Sequence, residues 1–128
     1  MNIALASGTP AASDRYQDSH LEVDFMRATA ALDTRRIVLT RKEYELLSLL
    51  VRNAGEIIPR DALLLRIWGY SSQIRTRTLD VHIRRLRKKL GCYSEQYIET
   101  IFGVGYRFQP FRPQRTIHDY IAAVPAIA

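Results

Sequence analysis

Basic side chains are concentrated in one stretch of the chain, TRTLDVHIRRLRKKL at positions 76–90. It carries six arginines or lysines and one histidine, and its single acid is Asp80. The slightly longer segment 70–91 holds a charge excess of +6, which equals the net charge of the whole chain. A solvated helix surface would interleave acids four residues from its bases. The stretch therefore favours binding to a polyanion, and nucleic acid in particular.

The other reactive side chains are too scattered to predict a catalytic or metal site. His20, His82 and His118 lie far apart in the sequence, and Cys92 is the single cysteine. The GVG at 103–105 falls inside a predicted hairpin rather than between a strand and a helix, so it does not match a nucleotide-binding loop. We predict no enzyme, no metal site and no cofactor.

Hydrophobic periodicity predicts that residues 76–90 form an amphipathic helix. At about 100° per residue, one side of this helix holds Leu79, Ile83, Leu86 and Leu90. The opposite side holds Arg77, Val81, Arg84, Arg85 and Lys88, with His82 and Arg87 on the flanks. We expect the leucine side to face a core and the basic side to face outward.

An exposed basic helix fits the major groove of B-form DNA, where base edges offer hydrogen-bond acceptors and the thymine methyl group. The helical spacing i, i+3, i+4, i+7 predicts base contacts from Val81, Arg84, Arg85 and Lys88. Phosphate contacts are predicted along the edges of the helix, from Arg77, Thr78, His82, Arg87 and Lys89.

Two aromatic residues outside the helix are further candidates for phosphate contacts, Tyr106 through its hydroxyl and Trp68 through its ring N–H. Other interpretations stay open at this point. Trp68 could instead fill the core, and His82 could be an ordinary half-exposed histidine without a DNA contact.

The rest of the chain supplies the elements that hold the basic helix. Residues 1–19 are rich in small, polar and acidic side chains without periodicity, and we predict a flexible arm or linker there. The segments LEVDF, ATAAL and RIVL, between residues 21 and 39, predict three short strands, of which the last two form a hairpin. We assign residues 20–108 to one domain and residues 109–128 to a C-terminal tail.

Helix signals begin immediately after these strands. Thr40 and Glu43 form a capping-box pattern in front of a leucine-rich segment, and Gly55 is a suitable stop. Residues 57–59 predict an extended link, and RDALLLRIW at 60–68 predicts a second, mostly buried helix. After the basic helix, QYIETIFGVGYRF predicts two strands joined by a glycine-containing turn. The order of elements is that of an α+β fold.

Four segments in this order and spacing resemble the OmpR/PhoB-type winged-helix DNA-binding domain, the effector domain of response regulators. They are LTRKEYELLSLL, IPRDALLLRIWG, RTLDVHIRRLRKKLG and IETIFGVGYRF, and the resemblance covers roughly residues 21–108. It implies a winged helix-turn-helix with an antiparallel N-terminal sheet of four strands, a three-helix core and a C-terminal hairpin wing.

The resemblance also implies roles for individual residues. It makes residues 76–90 the recognition helix, with Val81, Arg84 and Arg85 facing the DNA bases. Phosphate contacts would come from Arg77, Thr78, His82 and Arg87. The loop that contacts RNA polymerase in this family would comprise Gly69, Tyr70, Ser71, Ser72, Gln73 and Ile74.

The wing would comprise Phe102, Gly103, Val104, Gly105 and Arg107. Many members of the family carry an arginine at the position of Phe102, and that arginine enters the minor groove. The phenylalanine here argues against the same minor-groove contact, and Arg107 is not an obvious substitute.

The predicted function is sequence-specific binding of double-stranded DNA by a bacterial-type transcription regulator of a two-component system. Useful specificity is expected to need a dimer on two half-sites. The residues before the domain are too few for a receiver, so we expect either an isolated effector domain or a receiver-less regulator. The composition predicts a cytoplasmic protein without a membrane segment.

The sequence leaves two alternatives to binding of double-stranded DNA. In the first, the chain is a winged-helix protein–protein interaction module that uses the basic helix and the C-terminal tail. In the second, weaker alternative it binds RNA, but the deep and narrow major groove of A-form RNA excludes such a helix.

Overall fold

The computed structural model describes residues 14–69 and 76–112 as an α+β fold with two antiparallel sheets and a helical core. The first sheet contains four strands in sequence order, β1 (Arg15–Gln17), β2 (Leu21–Asp24), β3 (Thr29–Leu32) and β4 (Arg35–Ile37). Leu21 and Val23 alternate with more exposed residues along β2 and are completely buried. This sheet therefore covers the core with one face.

The turn between β3 and β4 is a tight one, as the sequence predicted. Asp33 and Thr34 both have positive φ, 50° and 67°. Two consecutive residues in this region give the primed turn whose twist matches antiparallel strands. The hairpin pairs Ala30 with Ile37 and Leu32 with Arg35.

The predicted N-terminal arm was wrong for its last residues. Arg15–Gln17 form β1, which pairs with β2 in the register Tyr16 opposite Val23. The sheet thus has four strands, as the family resemblance implied, and not the three that the residue pattern predicted. A three-residue strand with a single half-buried side chain offers no alternation that a sequence pattern could reveal.

Three main helices follow, α1 (Arg41–Arg52), α2 (Arg60–Trp68) and α3 (Thr76–Leu90). The capping box predicted for α1 is confirmed, because Thr40 accepts from the backbone N–H of Glu43 and the Glu43 carboxylate accepts from that of Thr40. A 3-10 turn (Gly91–Tyr93) and a short helix, α4 (Ser94–Tyr97), come next and were not predicted.

The second sheet joins the predicted hairpin to a strand from the middle of the chain. Its strands are β5 (Ile57–Pro59), β6 (Ile98–Ile101) and β7 (Gly105–Phe108), in the order β5-β7-β6. The segment predicted as an extended link is therefore a paired strand. A Cβ on Gly105 would lie 2.0 Å from the carbonyl oxygen of Ile58, so the close approach of β5 requires glycine at this position.

The core lies between the two sheets and the helices. The predicted leucine side of α3 is confirmed, since its four apolar residues are buried: Leu79, Ile83, Leu86 and Leu90. They pack with buried side chains of the other elements, among them Leu46, Leu50, Leu63, Tyr97 and Phe108. No helix among the described residues is long and apolar enough to cross a membrane.

The folded body extends beyond the predicted boundary at residue 108. The backbone N–H of Gln109 donates to the carbonyl of Tyr97 over 2.9 Å, and that of Phe111 donates to Asp18 Oδ2 over 3.1 Å. Phe111 also packs against the core. Most of the predicted tail, residues 113–128, lies outside the described residues, as do Tyr70, Ser71, Ser72, Gln73 and Ile74 of the predicted polymerase loop.

Candidate nucleic-acid interface

The exposed side of α3 carries four cations that we call the basic ridge: Arg77, Arg84, Arg85 and Lys88. All four are exposed, and Val81 between them is half-buried. Guanidinium groups present several N–H donors in a planar fork, which suits the paired acceptors of guanine, and a small apolar side chain suits the thymine methyl group. Three of these cations, Arg84, Arg85 and Lys88, together with Val81 therefore have the chemistry that the sequence predicted for base contacts.

The N-terminal half of α3 is held by its one acidic residue. Asp80 Oδ1 accepts a 2.7 Å hydrogen bond from the guanidinium of Arg60 and a 3.0 Å bond from the hydroxyl of Tyr106. Partial burial acts to raise the pKa of Asp80, but these two donors lower it more, so the pKa lies below its ordinary value. Through this carboxylate, α3 is joined to the start of α2 and to β7.

Arg87 joins the same helix to β6. Its Nη2 donates to the carbonyl of Ile98 over 2.8 Å and to the Thr100 hydroxyl over 2.7 Å. The guanidinium carbon also lies 5.8 Å from the ring centroid of Tyr106, a cation–π arrangement. These contacts favour a structural tie between helix and sheet over the predicted phosphate contact.

The last turn of α3 is tied to α1. The ammonium of Lys89 donates to Oε1 of Glu43, whose side chain is only 2% exposed. This contact too differs from the phosphate contact that the sequence predicted for Lys89.

Tyr106 is buried, although the sequence predicted that its hydroxyl contacts phosphate. The residue is 5% exposed, and its hydroxyl is bonded to Asp80 and lies within 3.4 Å of an Arg60 nitrogen. Its geometry therefore argues against a phosphate contact. Sequence periodicity could not show this, because the partners lie on other elements, 26 and 46 residues away. The one signal in the sequence was Asp80, an isolated acid within a basic helix, which indicates a need for donors from elsewhere in the chain.

His82 and Trp68 pack against each other beside α3. Their ring centroids are 4.9 Å apart at an interplanar angle of 71°, and both residues are half-buried. His82 Nδ1 lies 2.8 Å from the carbonyl oxygen of Thr78, so this nitrogen carries the proton. The remaining ring nitrogen can then donate to a phosphate when the imidazole is protonated.

The tip of the wing is apolar and exposed. Phe102 is 90% exposed and Val104 is 46% exposed, while Gly103 provides the turn with a φ of 76°. The carbonyl of Val104 accepts a 3.0 Å bond from the backbone N–H of Arg60, which fixes the turn to α2. Arg107 points its guanidinium to Glu99 over 2.8 Å on the neighbouring strand.

The predicted polymerase loop begins at the end of α2. Gly69 has a φ of 77° and its N–H donates to the carbonyl of Leu65 over 2.9 Å, which closes the helix. A positive φ at this position explains the glycine.

Comparison with known proteins places this arrangement among transcription regulators. Residues 34–108 match the family model "Transcriptional regulatory protein, C terminal". The transcriptional regulatory protein SrrA of Staphylococcus aureus is 38% identical over 103 residues, which are 78% of this chain and 43% of SrrA. The chain thus spans less than half the length of this curated relative.

Solved structures give the same result. The response regulator DrrB of Thermotoga maritima, an OmpR/PhoB homologue, matches with a TM-score of 0.69 and 35% identity over 75% of this chain and 44% of DrrB. The DNA-binding domain of Klebsiella pneumoniae RstA, solved in complex with the RstA box, matches with a TM-score of 0.69 and 31% identity. That match covers 77% of this chain and 100% of the RstA domain.

Proposed function

The chain belongs to the family of OmpR/PhoB-type C-terminal domains of transcriptional regulatory proteins, and from this premise we propose that it binds double-stranded DNA sequence-specifically and regulates transcription. Helix α3 lies in the major groove and the wing lies beside it. In this proposal the domain binds DNA and catalyses no reaction. It acts in the bacterial cytoplasm, where the chromosome is accessible.

The observation that carries this proposal is the basic ridge on a helix whose other sides are fixed. Asp80, Arg87 and Lys89 tie α3 to four neighbouring elements, α2, β7, β6 and α1, while the ridge cations are exposed. A helix that must present side chains to base edges needs such a rigid support, because misplacement by a fraction of an ångström weakens the contacts.

The proposed contacts follow from exposure and position. Base contacts come from Val81, Arg84, Arg85 and Lys88. Phosphate contacts come from Arg77, Thr78 and His82, with the ring N–H of Trp68 at the edge of the surface. Arg87, Lys89 and Tyr106 make no DNA contact in this proposal, since each is bonded to another part of the domain.

Two further partners belong to the same proposal. The loop that begins at Gly69 contacts RNA polymerase, as the family resemblance implies. Two copies of the domain occupy half-sites about one helical turn apart, since one domain offers few base contacts.

Selection from a random library of duplex DNA at near-physiological salt tests the proposed function. We expect a recovered motif, repeated at a spacing of about 10 base pairs. The double substitution Arg84→Ala and Arg85→Ala should abolish the enrichment of this motif.

A matched control is available on β4. Arg35 and Arg36 are also adjacent exposed arginines, so replacing both by alanine removes the same charge away from α3. The control should keep the motif. Retention without any motif, lost as salt rises, would show phosphate binding only and contradict sequence-specific recognition.

A further inference from the structure

One charged side chain is buried among the residues the structure describes, and it lies next to the recognition helix. Glu43 is 2% exposed and stands at the third position of α1. Taking a carboxylate out of water is unfavourable unless hydrogen bonds and an opposite charge compensate. The hydrogen-bond and ion-pair partners of Glu43 must therefore compensate for the burial of its carboxylate.

Glu43 has one partner in the N-cap residue of its own helix and one in α3. Its Oε1 accepts a 2.9 Å bond from the backbone N–H of Thr40, which completes the capping box. The same oxygen accepts from the ammonium of Lys89, 46 residues further along the chain. The N–H of Thr40 carries no net charge, so Lys89 supplies the compensating charge.

The surroundings of Lys89 and Glu43 favour an ion pair in which both side chains are charged. Burial acts to raise the pKa of Glu43, but the Lys89 ammonium and the Thr40 N–H lower it more, so the pKa lies below its ordinary value. Lys89 also stands in the last turn of α3, where the helix dipole favours a cation. The contact with the Glu43 carboxylate holds the ammonium beside α1.

Lys88 shows the contrast. It carries the same side chain one position earlier, but it is exposed on the basic ridge, whereas Lys89 is half-buried against α1. A rotation of about 100° per residue separates the two side chains. Two adjacent lysines therefore have different surroundings on the same helix.

We propose that Lys89 is a positioning residue for DNA recognition, whose ion pair with Glu43 sets the angle of α3 against α1 without touching phosphate. The inference rests on the proposed function of the domain. It means that base selectivity depends on a buried carboxylate that DNA cannot reach.

The test compares four single variants of the full chain, Lys89→Met, Lys88→Met, Glu43→Gln and Lys89→Arg. Affinity is measured at several salt concentrations for a duplex recovered by selection and for a duplex of unrelated sequence. Circular dichroism melting first establishes a temperature at which every variant is folded. Methionine keeps most of the aliphatic stem and removes the charge, and glutamine keeps an acceptor for the N–H of Thr40.

The two lysines should respond differently. Lys88→Met should lower affinity for the selected duplex, where its base contact is lost. On the unrelated duplex, where an exposed ammonium lies against phosphate instead, it should reduce the slope of log affinity against log salt by about 0.9. Lys89→Met should keep the wild-type slope and the wild-type affinity for the unrelated duplex. Its preference for the selected duplex should fall about tenfold, an effect the size of one mismatched base pair. Lys89→Arg, which keeps the charge, should preserve the preference.

Glu43→Gln separates positioning from phosphate binding by the direction of its effect. If Lys89 acts through Glu43, the variant should lose selectivity as Lys89→Met does, and the double variant should lose no more than either single one. If Lys89 were a phosphate contact, releasing it from Glu43 would raise affinity for both duplexes. Should Lys89→Met fail to fold, Glu43→Gln decides the question, because the two roles predict opposite changes for it.

The proposal is overturned by a salt slope of Lys89→Met that falls as that of Lys88→Met does, or by Lys89→Met or Glu43→Gln retaining full selectivity. Failure of the proposed function itself would be seen in the selection experiment, before any variant is compared. In that case the wild-type chain shows no preference for any selected duplex.

Discussion

Tyr97 donates a 2.7 Å hydrogen bond from its hydroxyl to Asp18 Oδ1, across 79 residues of sequence. The other carboxylate oxygen accepts from the Tyr16 hydroxyl over 2.5 Å and from the backbone N–H of Phe111 over 3.1 Å. One carboxylate therefore joins the first β-hairpin, α4 and the segment that follows β7.

Removal of this carboxylate should destabilise the whole domain. Asp18→Ala leaves the hydroxyls of Tyr16 and Tyr97 without their acceptor, and hydrogen bonds to charged groups contribute about 1.5–3 kcal/mol. We expect the free energy of unfolding in urea to fall by about 2–3 kcal/mol. Asp14→Ala removes an exposed carboxylate nearby and serves as the control. An equal loss in the two variants would contradict the role of Asp18.

Stability should fall in acid, and Asp18 should account for part of the fall. Partial burial acts to raise its pKa, but donors including the N–H of Leu21 and the Tyr16 hydroxyl lower it below the ordinary value. A carboxyl group with a lowered folded pKa contributes stability above its unfolded pKa, and this is lost as pH falls through the folded pKa. Urea midpoints should therefore drop below about pH 4, and less steeply in Asp18→Asn. Parallel curves for the two proteins would be evidence against this assignment.

Gly105 should tolerate no side chain. Its Cβ would meet the carbonyl oxygen of Ile58 at 2.0 Å, and a backbone atom in a paired strand cannot move aside cheaply. We expect Gly105→Ala to lower the free energy of unfolding by about 3 kcal/mol. Gly103→Asn is the control, because this turn glycine has open space around it and asparagine accepts a positive φ. The expectation fails if the alanine variant is as stable as the asparagine variant.

The wing tip should respond to an added charge. Phe102→Arg places a cation on the turn that Arg60 fixes to α2, beside the proposed DNA surface. Affinity should rise for selected and unrelated duplexes alike, and the salt slope should steepen by about 0.9. Val38→Arg adds the same charge at another exposed apolar position, after β4. Equal effects of both substitutions would show a response to net charge and no contact by the wing.

The sequence predicted the orientation of α3 because burial there repeats with every turn. Leu79, Ile83, Leu86 and Leu90 recur at helical spacing, and each is buried. The capping box at Thr40 was equally readable, because both of its partners lie within four positions. Local periodicity and local hydrogen bonds are the two kinds of signal that one sequence contains.

The features that the sequence did not predict depend on partners from distant parts of the chain. Neither β1 nor β5 exceeds three residues, and strands this short are defined by hydrogen bonds to the neighbouring strand and not by their own residue pattern. Arg87 and Lys89 look like any surface cation in the sequence, but their acceptors stand 11 to 46 residues away. By contrast, the exposed side of α3 was readable from helical periodicity, since Arg84, Arg85 and Lys88 fall opposite the leucines and are exposed.

The pairing of β5 with β7 also constrains the order in which the domain can assemble. The first sheet connects strands that are neighbours in sequence, so it can form from contacts of short range. The second sheet sets Ile57 opposite Arg107, and its closure must bring together ends of a long loop. During synthesis, β5 leaves the ribosome well before its partner strand exists. The helix-turn-helix and wing can therefore reach their final arrangement only after β7 has emerged.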